Sequence, residues 1–437
     1  MKDHMVNVSL KTCLDPSFLP VAVSFVEKSA VAFGLGKNET LQLTLATEEI
    51  FAYLSQARRA DEAIDIEATN GSYYAQVKFL FKARDFNPRA FNLTASVSLE
   101  DQANLEEMGL LIASRSVDRF YISGSPQQGF ELFLIKEKIY PEIGDLEVTE
   151  IKEIKNFRFK LPDSESLKRF VRLVVGYYPT HLYLPSFRFP GKVVDMIASG
   201  EYSATVAFGE QGQIGGGIVW RWVGSKTVEL FGPYLFRQPA DTELAKGLVD
   251  SCLGRIAKTE AIGLISRYST PELPEKYFER LGSVDLTQPG GTPQPWPVYY
   301  RQLYEDPGCQ VSAHPDLYGF LRAEYDRLAF AREIRLTRYE GEQRPPYSVF
   351  AGQFDRGQNQ VTLRAIWEGA DSAENLAQHV KVLRTENFHN IFFEIDLAQA
   401  WQADLTPALL KNGFRPRLIL PYGGQADVVV FQYQGSE

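Results

Sequence analysis

Two adjacent carboxylates, Glu48 and Glu49, lie in the stretch "LTLATEEIFAYLSQ" at residues 43 to 56, inside what reads as an amphipathic helix. A carboxylate pair can divide acid and base roles only if both groups face one site. Leu43, Ala46, Ile50, Tyr53 and Leu54 fall on one helical stripe, so Tyr53 is expected against the core and Glu49 at the stripe's border. Glu48 is expected to face outward beside Thr44 and Phe51, so the two carboxylates are not a catalytic dyad. Other reactive residue types give little by spacing. His4, His181, His314, His379 and His389 lack metal-ligand spacing, so no metal is expected. Cys13, Cys252 and Cys309 are far apart, odd in number and without a CxxC pair, which excludes a disulfide framework and fits a reducing cytoplasm. "GQIGGG" reads as a hairpin strand with a bulge, since no helix follows it to complete a phosphate loop.

These residues must be positioned by a chain of 437 residues, 44% hydrophobic and 13% aromatic, too long for one core and expected to form about three domains. Its net charge of −9 and pI near 5.4 argue against nucleic-acid and anionic-membrane partners, which call for a basic face. "MKDHMVNVSL" lacks the blocks of a signal peptide, and no apolar run approaches membrane-helix length. A cytoplasmic location is therefore expected.

Hydrophobic periodicity divides the chain into three stretches. Residues 1–145 read as a strand, two helices, two alternating strands ("EAIDIEAT", "SYYAQVKFLFKA"), a short helix "EEMGLLIASRSV" and two more strands. Residues 150–300 follow the charged connector "VTEIKEIKN". They read as the strand "FRFKL", two helices, the strands "YSATVAF", "QIGGGIVWRWV" and "KTVELFGPYLF", a helix over 241–258, the strand "AIGLISRY", the helix "LPEKYFERLG" and a Gly- and Pro-rich linker, "TQPGGTPQPWP". Residues 301–437 read as a helix, then strand, helix, strand, helix and final strand. "KYFERLGSVDL" and "ALLKNGFRPRLIL" each read as a helix stopped by a glycine C-cap before a strand, a hint of duplication.

The order over residues 155 to about 300 resembles the GNAT-type N-acetyltransferases: strand, two helices, three antiparallel strands, long helix, strand, helix and final strand. The resemblance implies acetyl-CoA as acyl donor, its pyrophosphate held by a small-residue loop before the long helix. Here that loop is "RQPADTE", with Arg237, Ala240 and Thr242 at the matching positions and Tyr234 on the strand before it. The main chain near Pro233 and Tyr234 would supply oxyanion donors, and Glu229 is the candidate base. The family's acid slot falls on Phe278, one residue from Tyr277, the nearest phenol, and in the last stretch on Leu409. "YYPTHLYLPSFRFPGK" is similar to the substrate-side loop of such enzymes, which makes His181, Tyr183 and Arg188 candidate acceptor-pocket residues.

Residues 5 to 140 resemble the anti-sigma-factor type of GHKL ATPases. Their Glu-x-x-x-Asn motif is matched by Glu49 and Tyr53, their Asp-x-Gly by Asp85 and Asn87, and their Gly-rich helix start by Gly109. Because a phenol replaces the magnesium-binding amide, the resemblance implies a vestigial site, and ATP with magnesium is not expected.

The fold class expected is α+β multidomain, a GHKL-like α/β sandwich followed by two GNAT-like units with mixed, mostly antiparallel sheets, the last one structural. The function expected is acetyl-CoA-dependent N-acylation of a small-molecule or protein amine, with a regulatory protein partner at the N-terminal domain. The alternative is a non-catalytic regulator in bacterial partner switching.

Overall fold

The computed structural model describes residues 6–56, 62–82, 86–95, 102–125, 129–144, 153–154, 156–239, 243–288 and 291–435. Contacts divide the chain into two compact units, Met1–Ile139 with Gln343–Gly352 and Arg364–Val382, and Tyr140–Glu342 with Gln353–Leu363 and Leu383–Glu437.

In the first unit the elements are β1 (Asn7–Cys13), α1 (Leu19–Ala32), α2 (Lys37–Gln56), β2 (Ala63–Asn70), β3 (Tyr74–Phe81), α3 (Gln102–Ser116), β4 (Arg119–Ser125) and β5 (Gly129–Glu137). The sheet runs β1-β2-β3-β5-β4, antiparallel throughout. Alternate residues of β2, β3 and β5 are buried, Ile64, Val77 and Leu132 among them, and they share a core with Val26, Ile50 and Leu110 of the three helices. This period of two is what one packed sheet face requires. Phe51 departs from the expected helix face: it is fully buried, because the core against α2 is wider than a single stripe. Glu48 is exposed and Glu49 half-buried.

The second unit opens with β6 (Phe157–Lys160), α4 (Ser164–Tyr177), α5 (Pro190–Ala198), β7 (Tyr202–Gly209), β8 (Ile214–Val223), β9 (Thr227–Leu235), α6 (Glu243–Ile256) and β10 (Gly263–Tyr268). Then come β11 (Glu279–Thr287), β12 (Pro293–Gln302), β13 (Cys309–Ala313), α7 (Pro315–Leu328) and β14 (Arg332–Leu336). The remaining elements of the chain are β15 (Val349–Asp355), β16 (Gln360–Trp367), α8 (Ser372–Thr385), β17 (Asn390–Asp396), α9 (Ala400–Ala403), α10 (Thr406–Lys411), β18 (Phe414–Leu420) and β19 (Val428–Tyr433).

Seven strands form the sheet β11-β12-β10-β9-β8-β7-β6, in which only the β9–β10 pair is parallel. A second sheet runs β15-β16-β17-β19-β18. The same strand order occurs twice. β9, α6, β10, β11, β12 lie as β9-β10-β12-β11, and β16, α8, β17, α10, β18, β19 lie as β16-β17-β19-β18. The duplication suggested by the two glycines is therefore present in the topology, although only one glycine is a helix cap. Gly413 follows α10 with φ +81°. Gly413→Ala is expected to cost about 1 kcal/mol in urea unfolding, since a Cβ is disfavoured in that conformation.

The expected helix "LPEKYFERLG" is not formed. Glu275–Tyr277 is a single 3-10 turn, and Glu279 begins β11. The expected linker is likewise largely strand, β12. Its prolines explain how. Pro293, Pro295 and Pro297 sit at alternate positions opposite Thr287, Asp285 and Ser283, so their missing donors all lie on one edge of β12. The N–H groups of Asp285 and Thr287 correspondingly turn away from β12 and donate to Gln432 Oε1 at 2.9 Å and Asn390 Oδ1 at 2.8 Å. A long hairpin thus takes the place of helix and linker.

Candidate functional site

Four strands of the second unit carry a charged residue within a largely apolar run: Arg221 on β8, Glu229 on β9, Arg267 on β10 and Glu394 on β17, the last strand ending at a second carboxylate, Asp396. The first four form one chain of ion pairs. Arg221 lies directly across from Glu229 in the β8–β9 ladder and donates to Glu229 Oε2 from Nε and Nη2 at 2.9 and 2.8 Å. Arg267 Nε donates to Glu229 Oε1 at 2.5 Å and its Nη1 to Glu394 Oε1 at 3.0 Å. Arg221 Nη1 reaches the Tyr202 hydroxyl at 2.9 Å. The Glu229 side chain is fully buried. Burial alone would raise its pKa, but the charges and hydrogen bonds of Arg267 and Arg221 bring it down to about 2. A carboxylate so held is a poor proton acceptor near neutrality, and Glu229, the candidate base, is placed instead to hold the two guanidinium groups.

Arg267 and Glu394 reach the wall of a pocket of about 70 Å³. This is room for roughly five water-sized groups. His181 and Trp296 line it together, their rings edge to face with centroids 5.1 Å apart. Trp296 is fixed by its Nε1–H donating to the Arg267 carbonyl at 3.1 Å. Val284, Leu286, Leu418 and Val430 give it an apolar side. Partial burial lowers the His181 pKa, so the imidazole is neutral at physiological pH and can accept a proton. Arg267 uses only Nε and Nη1 in protein hydrogen bonds among the described residues, which leaves Nη2 for a ligand. Tyr268, also in the wall, has its pKa pushed up to about 12, mainly by burial, and remains a neutral phenol.

Beyond the last β9–β10 pair, Phe231 with Tyr268, the edge of β9 is bonded by side chains. Thr270 Oγ1 donates to the Pro233 carbonyl at 2.6 Å, and the Leu235 N–H donates to the Tyr178 hydroxyl at 2.7 Å. Burial, with the nearby Glu272 carboxylate, raises the Tyr178 pKa, and Glu272 Oε2 is buried without a hydrogen-bond partner among the described residues. This corrects the oxyanion donors expected near Pro233 and Tyr234. Proline has no N–H. By strand alternation the Tyr234 N–H points, like the Phe236 N–H that binds the Gly215 carbonyl, toward β8. The main-chain donor on the open edge is that of Leu235. Tyr234 itself is fully buried, with its hydroxyl donating to the Leu182 carbonyl at 2.8 Å.

Of the coenzyme loop, Ala240 and Thr242 lie outside the described residues. Arg237 is exposed with φ +50°, and Gln238 next to it bonds the Phe236 carbonyl and the Ile154 N–H. Tyr183 and Arg188 do not join His181 in the pocket. Tyr183 is buried in a stack on Phe187, and Arg188 pairs with Glu142. Tyr277, expected on a helix, sits in the 3-10 turn beneath Lys276 and Arg301. Among the described residues no group of three or more His, Cys, Asp or Glu could hold a metal ion, and no helix is long and apolar enough to cross a membrane.

In the first unit two motif residues of α2, Glu49 and Tyr53, are met by two others, Gly109 and Asn87. A methyl at Gly109 would come within 2.7 Å of Glu49 Oε2, and the Asn87 N–H donates to the Tyr53 hydroxyl at 3.3 Å. Asp85 lies outside the described residues. Burial, then the neighbouring Glu48, raises the Glu49 pKa. Asn87 Oδ1 accepts from the Arg89 N–H at 3.0 Å, capping a short turn.

No protein-family model and no curated protein matches this chain. Solved structures that match over about a third of it include acetyltransferases. The aminoglycoside 6'-N-acetyltransferase from Enterococcus faecium is 15% identical, with 34% of this chain and 99% of that one covered and a TM-score of 0.27. A GNAT superfamily phosphinothricin acetyltransferase from Sinorhizobium meliloti, solved with AcCoA, is 16% identical, covering 34% and 88%, with a TM-score of 0.28. The GNAT family N-acetyltransferase YhbS from Escherichia coli, solved with CoA, is 17% identical, covering 36% and 85%, with a TM-score of 0.26.

Proposed function

We propose that the second unit is a GNAT-type N-acyltransferase that takes an acetyl group from acetyl-CoA and passes it to a small amine held beside His181 and Arg267. The observation that carries this reading is the buried chain Tyr202–Arg221–Glu229–Arg267–Glu394. It fixes a guanidinium and a carboxylate in a pocket at the C-terminal end of β10, next to the place where β9 and β10 stop pairing. Buried ion pairs are costly to keep and are justified here by what they hold in place. In this mechanism His181 accepts the proton of the acceptor ammonium, and the freed amine attacks the thioester carbonyl carbon. The C–S bond breaks as the C–N bond forms, and the proton that the nitrogen loses on becoming an amide passes through water to the departing thiolate. The Leu235 N–H is the main-chain donor nearest the developing oxyanion.

The donor edge of β9 suits a thioester because its covering is a phenol and not a strand. A phenol needs only to rotate, whereas a strand would have to unzip. Tyr178→Phe leaves the Leu235 N–H without its partner. Titration calorimetry is expected to show acetyl-CoA binding the variant roughly five-fold more tightly than the native chain, about one hydrogen bond's worth. No heat from either protein would remove the acyltransferase reading and leave a non-catalytic role.

A further inference from the structure

We infer that the C-terminal sheet positions the base of the first repeat: Gln358, in the turn between β15 and β16, clamps the chain that carries His181, and Asn390 of β17 holds Gln358 in place. This rests on the acyltransferase reading only for calling His181 a base; the clamp stands on its own hydrogen bonds.

His181 lies between Pro179 and Pro185, and Thr180–Leu182 is a single 3-10 turn. So short a turn leaves most of its main-chain groups to find partners elsewhere. Both carbonyls flanking His181 find a buried side chain. The Leu182 carbonyl accepts from the Tyr234 hydroxyl at 2.8 Å, and the Thr180 carbonyl accepts from Gln358 Nε2 at 3.2 Å. Tyr234 comes from β9, whereas Gln358 comes from the C-terminal sheet and also lines the pocket that His181 faces.

Gln358 is itself fixed. It ends the 3-10 turn Arg356–Gln358, its N–H donates to Asp355 Oδ1 at 3.2 Å, and Asn359 stops the turn with φ +45°. The Gln358 carbonyl accepts from Asn390 Nδ2 at 2.9 Å, and the Asn390 N–H donates to the Asn359 carbonyl at 3.0 Å. Asn390 Oδ1 in turn accepts from the Thr287 N–H of β11 at 2.8 Å. Gln358 and Asn390 keep only 7% and 2% of their exposure, so a lost bond in this chain has little water to replace it. Thr287, Asn390, Gln358 and Thr180 thus connect β11, through β17, to the turn that holds the imidazole edge-on to Trp296. The titratable groups around that turn are Arg267, Tyr268 and Glu394 in the pocket wall and Asp355 at the head of the clamping turn, and the variants below leave all four in place.

The test is an NMR titration of the histidine ring signals in the full chain, that of His181 assigned by its loss in His181→Gln. Gln358→Met keeps the length of the side chain but removes the donor to Thr180, and Asn390→Ala removes the support behind it. In both, His181 is expected to titrate at a higher pH than in the native chain, nearer the ordinary 6.5, because a released turn exposes the ring. The acidic limb of kcat/KM should move with it, and kcat should fall by up to about 10²-fold with little change in KM. Circular dichroism checks that both variants are folded, and if one is not, the other decides. A His181 titration that stays where it is in the native chain, or full kcat in the variants of an active chain, would overturn the inference. A moved titration in a chain that transfers no acetyl group would leave the clamp standing and remove the acyltransferase reading instead.

Discussion

His181→Gln is expected to lower kcat for acetyl transfer by roughly 10²–10⁴-fold with little change in KM, the range for losing a positioned general base. The argument starts from where the ring sits. His181 lines the pocket edge-on to Trp296, and Trp296 is tied to the Arg267 carbonyl, so the imidazole is held beside the site where an acceptor amine would lie. Partial burial lowers its pKa below the ordinary 6.5. The sign follows directly. Protonated His181 cannot accept a proton, so kcat/KM should rise as pH increases through that lowered pKa and level off above it. In His181→Gln this acidic limb should disappear. A variant that retained the limb at full amplitude would show that another group is the base.

Glu229→Gln is expected to destabilise the second unit by about 3–5 kcal/mol, the cost of leaving buried charges uncompensated. Glutamine keeps the shape of the side chain but leaves Arg221 and Arg267 facing a neutral amide inside the sheet. The same group gives the native protein a pH dependence. Its folded-state pKa, about 2, lies below the ordinary 4.5. Its contribution is therefore fully present above about 4.5 and is lost as pH falls from there toward 2. Urea unfolding followed at pH 7 and at pH 3 should show the native chain losing stability on acidification. Glu229→Gln should lose less over the same interval. Equal losses would mean that Glu229 is not the titrating group.

Much of the architecture is legible in the sequence because burial leaves a periodic trace. The alternation in "AIDIEATN" and "YAQVKFLF" marks β2 and β3, and the apolar runs of β7 to β10 mark strands buried on both faces. The failure at "LPEKYFERLG" has a physical cause. Its leucines and aromatics suit a helix and a strand alike, and the choice is made by pairing with β12, Glu279 opposite Tyr300 and Arg280 opposite Tyr299. The proline-rich partner reads as a linker until its prolines are seen at alternate positions, all on one edge.

The candidate site is legible in part. His181 was singled out and lines the pocket; Glu229 was singled out and is in place, but as the anchor of two arginines and not as a base. Arg267 and Glu394 carry no motif, and Tyr178 lies in the stretch "YYPTHLYLPSFRFPGK" without being one of its candidate residues. A signal for the first two was present nonetheless, since "IVWRWV", "TVELFG", "GLISRY" and "IFFEI" each set one charge in an apolar run. Two positive and two negative charges in such positions call for one another, because a buried charge is tolerated only when paired. Tyr178 could not be found that way. Its role depends on the open edge of β9, which exists only once β9 and β10 stop pairing.

The most direct measurement is product analysis by mass spectrometry after incubating the full chain with acetyl-CoA and a panel of free amino acids and simple alkylamines. The predicted result is an N-acetylated amine formed in step with released coenzyme A thiol, and strongly reduced in His181→Gln. Acetyl-CoA that is neither bound nor consumed, or thiol release that is independent of added amine and equal in the variant, would contradict the account.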